Sequence, residues 1–288
     1  MKKYVDLMWK ADNLVTSSPQ QPNQPQPTYL PTMSTTTTTT TTTACTTTKL
    51  VRKLMTLLTT ANAKIRKGEK SGYRTFGIHL APSTLSGYNT CKWASAGCAA
   101  ACLNTAGMGV FSNVQLSRIE KTLWFFKDKP EFLRKLIKEI KAAIKKANKA
   151  GLQACFRPNL TSDLPWEKIK LDGQSILEMF PDVQFYDYTK SPERMSAFLA
   201  GELPSNYHLT FSRSETNGAL ADAFLAAGGN VAIVFRKSLP ETYKGYRVIN
   251  GDETDLRFLD GSGNVIGLVE KGRAKKDLTG FVVEPTEA

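Results

Sequence analysis

The chain has 288 residues, of which 41% are hydrophobic and 22% are charged, and this is enough apolar material for a buried core. No apolar run approaches the roughly 20 residues of a membrane helix, and none near the N-terminus resembles a secretory signal. We therefore expect a soluble cytoplasmic protein. The five cysteines then indicate metal binding or catalysis rather than disulfides, because thiols stay reduced in the cytosol.

The formal net charge of +12 is unevenly distributed along the chain. Residues 49–150 hold 20 basic and five acidic residues, whereas residues 151–288 are net negative. An anionic partner fits this distribution, and nucleic acid bound through the lysine-rich segment 130–150 is the main candidate. The alternative is that the lysines are only the solvated faces of helices.

The first 48 residues differ in composition from the rest. They include a Pro/Gln-rich stretch followed by nine consecutive threonines, Thr35–Thr43, and offer almost nothing to bury. Such a composition predicts a disordered arm. Residues 49–288 then form one α/β domain. Its pattern starts with a helix over 49–68, stopped by Gly68, and a first strand over 75–80.

Helices and strands alternate through the remainder. Two helices are expected over 112–128, capped by Ser112, and over 130–150. Five further strands are predicted over 153–157, 183–188, 207–212, 231–236 and 246–249, with helices between them over 166–180, 192–200 and 217–227. This alternation predicts βαβ units with parallel strands, either as a partial (β/α)6 TIM-like barrel or as an open doubly wound sheet.

Polar residues follow several of these strands, at the sheet edge where α/β proteins place their active sites. Four residues are predicted to be catalytic: Asp187, Lys190, Arg213 and Glu215. Four are predicted to bind a cofactor or polar ligand: Asn159, Ser162, Asp163 and Arg236.

The loop over 81–111 is long for a compact domain and is therefore expected to be functional. It contains Cys91, Cys98 and Cys102 with the spacing C-x6-C-x3-C, among many small residues. Three thiolates in such a loop are typical ligands of an iron–sulfur cluster or a zinc ion. Buried cysteines without a metal are the alternative.

Two resemblances follow from these motifs. A strand, a cysteine-rich loop and repeating β/α units are similar to the radical S-adenosylmethionine superfamily, where the usual spacing is C-x3-C-x2-C. That resemblance implies a 4Fe-4S cluster, held here by the three cysteines, and S-adenosylmethionine bound to its free iron. Segments 72–283, including APSTLSGYNTC, GCAAACLNTAG, VQFYDYTK and GDETDLRF, more closely resemble an uncharacterised group of phage proteins.

Two hypotheses of different classes therefore arise. The first is a radical-SAM-like iron–sulfur enzyme of phage type that acts on a small polar substrate in the host cytoplasm. The second is a nucleic-acid-binding accessory protein whose cysteine site is structural.

Overall fold

A computed structural model of the protein describes residues 52, 54–61 and 63–285. The chain divides into two compact units, Met1–Leu54 and Met55–Ala288. In the first unit only Arg52 and Leu54 are described, both in helical conformation, so the predicted arm over 1–48 lies outside the described residues. Everything below concerns the second unit. In the described part of the chain no helix has the length and apolar character needed to cross a bilayer.

A mainly parallel sheet forms the centre of this unit. The strands of the described residues are β1 Leu58–Thr59, β2 Tyr73–Ile78, β3 Gln153–Arg157, β4 Lys170–Leu171, β5 Gln174–Ser175, β6 Gln184–Thr189, β7 Tyr207–Ser212, β8 Val231–Phe235, β9 Thr242–Tyr243, β10 Tyr246–Asn250, β11 Val265–Val269 and β12 Val282–Val283. Their order in the sheet is β1-β2-β3-β6-β7-β8-β11-β10-β9, while β4 and β5 form a separate hairpin. The predicted α/β class is thus confirmed.

Neighbouring strands from β2 to β10 all pair in parallel, and the two edge strands β1 and β9 are antiparallel. From β2 to β8 the order in the sheet follows the order in the chain without a reversal. Strands β1 and β9 are the two edges of the sheet and do not pair with each other. The described residues therefore form an open sheet and no closed barrel.

Strands β7 and β8 separate towards their carboxyl ends. The first half of β8 pairs with β7, at Phe211↔Val231, whereas its second half pairs with β12, at Val282↔Val234. The C-terminal segment is therefore inserted between two strand ends, beside the region where polar side chains gather.

The helices are α1 Ala63–Arg66, α2 Ala96–Ala100, α3 Ser112–Lys127, α4 Lys129–Lys149, α5 Ile176–Met179, α6 Pro192–Leu199 and α7 Gly218–Ala226, with short 3-10 turns at Lys67–Ser71, Leu103–Thr105, Gly107–Val110, Trp166–Lys168, Arg257–Leu259 and Gly272–Lys276. The main apolar cluster joins alternate strand residues, such as Phe156 and Phe185, to residues of α3, α4, α6 and α7. The other alternate set, including Cys155 and Tyr186, packs instead against Leu256. Helices thus pack on one face of the sheet, and the segment around Leu256 packs on the other.

Most predicted elements agree with the structure within two residues, and two predicted helices are wrong over most of their length. In the described part of 49–68, Arg52 and Leu54 are helical, but β1, the short α1 and a 3-10 turn follow, and the chain turns at Gly72 (φ +83°) rather than at Gly68. The expected helix over 166–180 is a 3-10 turn, the β4–β5 hairpin and α5. Strand β11 and the two-residue strands β1, β4, β5, β9 and β12 were not predicted.

Helix α3 has the predicted bounds but a different buried face. Its buried residues are Arg118, Thr122, Trp124 and Phe125. Leu116, expected on the apolar side, is 60% exposed. Ser112 does not cap this helix through its side chain, whereas Asp128 accepts a hydrogen bond from the Glu131 N–H and caps α4.

Candidate functional site

The cysteine loop leaves the carboxyl end of β2 and is fixed against the end of β3. The Thr90 hydroxyl donates to the Ala81 carbonyl at 2.6 Å, and the Thr161 hydroxyl donates to the Leu80 carbonyl at 2.6 Å. The Asp163 N–H donates to the Thr90 carbonyl at 2.8 Å. These contacts bring the loop to the carboxyl ends of the parallel strands, as the sequence predicted.

Each of the three thiols in the loop is half-buried. Cys91 Sγ accepts a hydrogen bond from the Ser83 N–H at 3.3 Å and lies 3.9 Å from the Thr161 carbonyl oxygen. Cys102 Sγ accepts from the Asn104 N–H at 3.5 Å. Backbone donors thus point at two of the sulfurs and lower their pKa values, but burial has the larger, opposite effect on both.

The charges of neighbouring cysteines affect the pKa values of Cys91 and Cys102. Burial raises the pKa of Cys102, and the charge of Cys98 raises it further, whereas Arg118 and Lys190 lower it. Burial also raises the pKa of Cys91, to which the charges of Asp163 and Cys102 contribute. Among residues 54–61 and 63–285, no three histidine, cysteine or carboxylate side chains are close enough together to hold a metal ion. Metal binding would therefore require the thiols to move closer together.

Arg118 extends from α3 into the turn that follows Cys102. It is only 6% exposed, and its Nη1 donates a short hydrogen bond to the Asn104 side-chain oxygen. Its Nε has no hydrogen-bond partner, and no carboxylate of the described residues forms an ion pair with it. Because a buried charge is costly unless it is paired, Arg118 identifies a place where an anion is expected.

Glu215 attaches the cysteine helix α2 to the end of β7. Its carboxylate accepts hydrogen bonds from the Ser95 hydroxyl and from the Gly97 N–H, both at 2.7 Å. A Cβ atom at Gly97 would lie 2.7 Å from Glu215 Oε2, so this approach requires glycine. Glu215, which was predicted to be catalytic, positions the segment that carries Cys98.

Removing this carboxylate should destabilise the protein. We expect Glu215→Ala to lower the free energy of unfolding by about 1–3 kcal/mol, because two donors lose their acceptor. Urea denaturation measures the effect. The control is Glu253→Ala, which removes an exposed carboxylate and should cost less than about 0.5 kcal/mol. Equal effects of the two substitutions would contradict the role given to Glu215.

Asp187 is fully buried rather than open to a substrate. It accepts hydrogen bonds from the Asn159 N–H at 2.8 Å, the Asn159 side-chain amide at 2.9 Å and the Tyr207 hydroxyl at 2.8 Å. Burial raises the pKa of Asp187 to about 7, against the lowering effect of the charges of Arg194 and Arg157. Asp187 and Lys190, both predicted to be catalytic, form no hydrogen bond or ion pair with each other among the described contacts.

Because its pKa is raised, Asp187 should make the stability of the protein depend on pH. An unfolded aspartate releases its proton near pH 3.9, whereas folded Asp187 keeps it up to about pH 7. The contribution of this group to stability therefore falls as pH rises between these values, by up to ~1.4 kcal/mol per pH unit.

We expect the free energy of unfolding of the wild type, minus that of Asp187→Asn, to decrease from pH 4.5 to 6.5. Urea denaturation at several pH values measures this difference. Taking the difference cancels the titration of His79 and His208, whose pKa values burial lowers to about 3 and about 4. A difference that is constant with pH would show that Asp187 does not titrate there.

Lys190 and Asp163 lie together at the strand ends near Cys102. The Lys190 Nζ donates to the Ser212 hydroxyl at 2.7 Å and lies 5.8 Å from the centre of the Phe281 ring. Asp163 accepts from the Lys190 N–H at 2.8 Å and from Arg194 Nη1 at 2.5 Å. Of the eight predicted catalytic and ligand-binding residues, these two are the ones whose charges act on the thiols.

The remaining predicted site residues, the catalytic candidate Arg213 and the ligand-binding candidates Asn159, Ser162 and Arg236, form contacts within the protein itself. Asn159 holds Asp187 and accepts from the Ser162 hydroxyl at 2.8 Å. Arg213 Nη1 donates to the Gly280 carbonyl at 2.9 Å, and Arg236 donates to the Asp277 carbonyl at 2.7 Å. Arg213 and Arg236 fix the C-terminal segment beside the strand ends. The predicted site residues therefore lie at one edge of the sheet, but their contacts are with different parts of the protein.

Sequence reasoning missed Arg118 and Thr161. Arg118 stands in a helix whose other charged residues are exposed or half-buried, and a helical projection centred on Trp124 and Phe125 would have placed it on the buried side. Thr161 carried no comparable signal, since its role depends on a contact with residue 80 across the sheet.

The fold and the site define an α/β protein that carries a thiol-rich loop at the carboxyl end of a parallel sheet. The chain belongs to the Gene product 88 family, a family of phage proteins, whose profile matches residues 55–285. No curated protein and no solved structure matches the chain.

Proposed function

We propose that Cys91, Cys98 and Cys102 together bind one metal centre, and that this centre is a 4Fe-4S cluster. The observation that carries the proposal is the buried guanidinium of Arg118 beside Cys102, for which no carboxylate of residues 54–61 and 63–285 is a partner. The donor set fits, because thiolates are the ligands that iron–sulfur clusters and zinc prefer.

Charge balance supports this assignment. Three thiolates around a dicationic four-iron core, or around a zinc dication, carry one net negative charge. A single buried arginine neutralises such a centre, whereas three neutral thiols would leave the arginine uncompensated. Metal binding would thus stabilise both the thiolates and Arg118.

We further propose that the sheet is an incomplete barrel. Support comes from the strand order, which advances from β2 to β8 without reversal, and from the packing of the larger helices in one apolar cluster. In this arrangement the loop after β2 lies at the mouth of the barrel, where α/β barrels carry their active sites.

A cluster held by Cys91, Cys98 and Cys102 would leave one iron without a protein ligand, and that iron would bind S-adenosylmethionine or a polar substrate. Lys190 is the predicted catalytic residue whose charge lowers the pKa of Cys102. We assign Lys190 to contact a ligand bound there. We place the protein in a host cytoplasm, where thiols stay reduced.

Anaerobic reconstitution with iron and sulfide tests the proposal. We expect a brown protein with about four irons and four sulfides per chain, the composition of a single such cluster. If the protein binds one zinc ion per chain and no iron, the three cysteines form a zinc site and not an iron–sulfur site. Binding of neither metal would overturn the proposal.

Helix α4 supports a second candidate function, the binding of nucleic acid. Its exposed face carries cations that form no ion pair with described residues, namely Arg134, Lys138, Lys141, Lys145 and Lys149. Binding of phosphates by such a helix releases counterions and makes affinity strongly dependent on salt.

The test is DNA and RNA affinity as a function of salt. Changing Lys138, Lys141, Lys145 and Lys149 to glutamine should reduce the slope of log affinity against log salt by ~0.9 for each phosphate that the helix no longer neutralises. A variant with Lys168 and Lys237 neutralised, both outside α4, is the control. If the slope is unchanged in the α4 variant, the lysines of α4 do not bind phosphates and are only exposed to solvent.

A further inference from the structure

The face of the sheet opposite the main apolar cluster carries a set of buried polar side chains. Tyr188 and Thr210 are Cα partners in β6 and β7, so they lie side by side on one face. His208 lies two residues before Thr210 and shares that face. The segment around Leu256 covers it and brings Arg257, which is fully buried, to the same region.

Several buried polar atoms in this region have no hydrogen-bond partner among the described residues. Asp255 Oδ1, Asp260 Oδ2 and Arg257 Nε are among them but form ion pairs, and Arg157 Nε is another. Four more lie on the residues of this face and its covering segment: Tyr188 OH, His208 Nδ1, Thr210 Oγ1 and Arg257 Nη1. We call these four residues the polar-face site. An isolated buried polar atom is unfavourable, and four on neighbouring residues are rare in a folded protein. Their grouping therefore indicates a position that something else fills.

The residues of the site lie close together, because the 3-10 turn Arg257–Leu259 packs against β6 and β7. Arg257 interacts electrostatically with both Tyr188 and His208. The guanidinium of Arg157 lies 4.6 Å from the centre of the Tyr188 ring, and Lys64 Nζ lies 5.7 Å from it. The site is therefore surrounded by cations.

The unpartnered atoms of the site include several donors. Asp255 and Asp260 are already ion-paired with Lys64, Arg157 and Arg257. The unpartnered atoms of the polar-face site include a guanidinium nitrogen and two hydroxyls, all of which can donate. A donor-rich position beside a guanidinium is complementary to an oxyanion.

We propose that the polar-face site binds a small molecule through one oxyanion group, a carboxylate or a phosphate, with Arg257, Tyr188 and Thr210 as its donors. His208, whose imidazole is neutral near pH 7, adds a further hydrogen bond. Tyr188 and His208 are partly exposed, although their unpartnered atoms are buried. The site needs no metal at the cysteine loop, so it stands independently of that proposal.

Thermal unfolding with inorganic phosphate and with acetate, each compared with chloride at the same ionic strength, tests the site on the full chain. A saturable rise in Tm with one of the two anions is expected, and the anion that gives it identifies the group. If neither anion raises Tm, the proposal is wrong.

Two matched threonine variants distinguish an anion-binding site from a buried region whose hydroxyls already have partners. In Thr210→Val the unpartnered hydroxyl is removed, so the Tm without anion should stay the same or rise while anion affinity falls about tenfold. Thr75→Val is the control on the same face, where the hydroxyl is bonded to Cys155 Sγ at 3.1 Å and Tyr186 OH at 3.2 Å. It should lower Tm and keep the anion affinity.

Tyr188→Phe gives an independent readout, because it removes a second donor and retains the ring. It should also weaken anion binding about tenfold without lowering Tm. If Thr210→Val lowers Tm and both variants bind the anion as the wild type does, an internal water satisfies these hydroxyls and the proposal fails.

Discussion

Serine at Cys91, Cys98 or Cys102 is expected to lower metal affinity more than about 100-fold, the upper range for changes to groups that only support a ligand. Each substitution removes one thiolate donor from a centre that has three. Iron and sulfide content after anaerobic reconstitution measures the loss. The three variants should be equally affected if one centre uses all three thiols.

Cys155 offers a matched control for this experiment. It is fully buried, burial raises its pKa to about 12, and its Sγ is hydrogen-bonded to Thr75. Cys155→Ala should retain the metal content of the wild type. If one of the three loop variants also retains it, that cysteine is not a ligand and the centre has a different composition.

Loss of the Asp255 carboxylate should have the largest effect on stability. Asp255 is 1% exposed at its side chain and pairs with Arg157 Nη1 at 2.8 Å and with Lys64 Nζ at 3.2 Å. Removing it leaves the Arg157 guanidinium buried without this partner. We expect Asp255→Asn to lower the free energy of unfolding by about 3–5 kcal/mol.

A surface ion pair supplies the control. Asp222 and Lys244 are 2.6 Å apart, with side chains 44% and 50% exposed. Asp222→Asn should cost less than about 1 kcal/mol in the same urea titration. Similar losses in the two variants would show that Asp255 does not hold its neighbours together.

The Asp255 pair also has a defined pH dependence. The charges of Arg157, Lys64 and Arg257 lower the pKa of Asp255 to about 2 in spite of its burial. Because the unfolded group has a pKa near 3.9, its contribution to stability is complete above about pH 4. It is lost as pH falls towards 2, and Asp255→Asn should show no such loss.

The central strands were predictable because each is a short apolar or β-branched run between polar turns. The hairpin of β4 and β5 was also encoded in the sequence, since Asp172 and Gly173 both adopt positive φ and Asp-Gly is a frequent two-residue hairpin turn. The apolar residues on either side of this hairpin are nevertheless spaced as in a helix. That spacing led to the wrong prediction of a helix over 166–180.

Other errors came from tertiary contacts that no local pattern contains. Strand β1 forms where leucines at helical spacing predicted a helix, because Leu58 pairs with Ile78 and the Glu139 carboxylate accepts from the Leu57 and Leu58 N–H groups. Tertiary pairing of this kind overrides intrinsic helix propensity.

The candidate site was predictable in place but not in detail. The cysteine spacing and the position after a strand located the loop correctly. The tasks of Glu215 and Asp187 were not predictable, because each depends on partners at least 20 residues away: Ser95 and Gly97 for one, Asn159 and Tyr207 for the other.

The most direct test is alkylation of each cysteine, followed by mass spectrometry, before and after anaerobic reconstitution. If the three thiols hold one centre, Cys91, Cys98 and Cys102 lose reactivity together, in the same fraction of molecules that contain iron. If the three remain as reactive as in the metal-free protein while iron is supplied in excess, they do not bind a cluster.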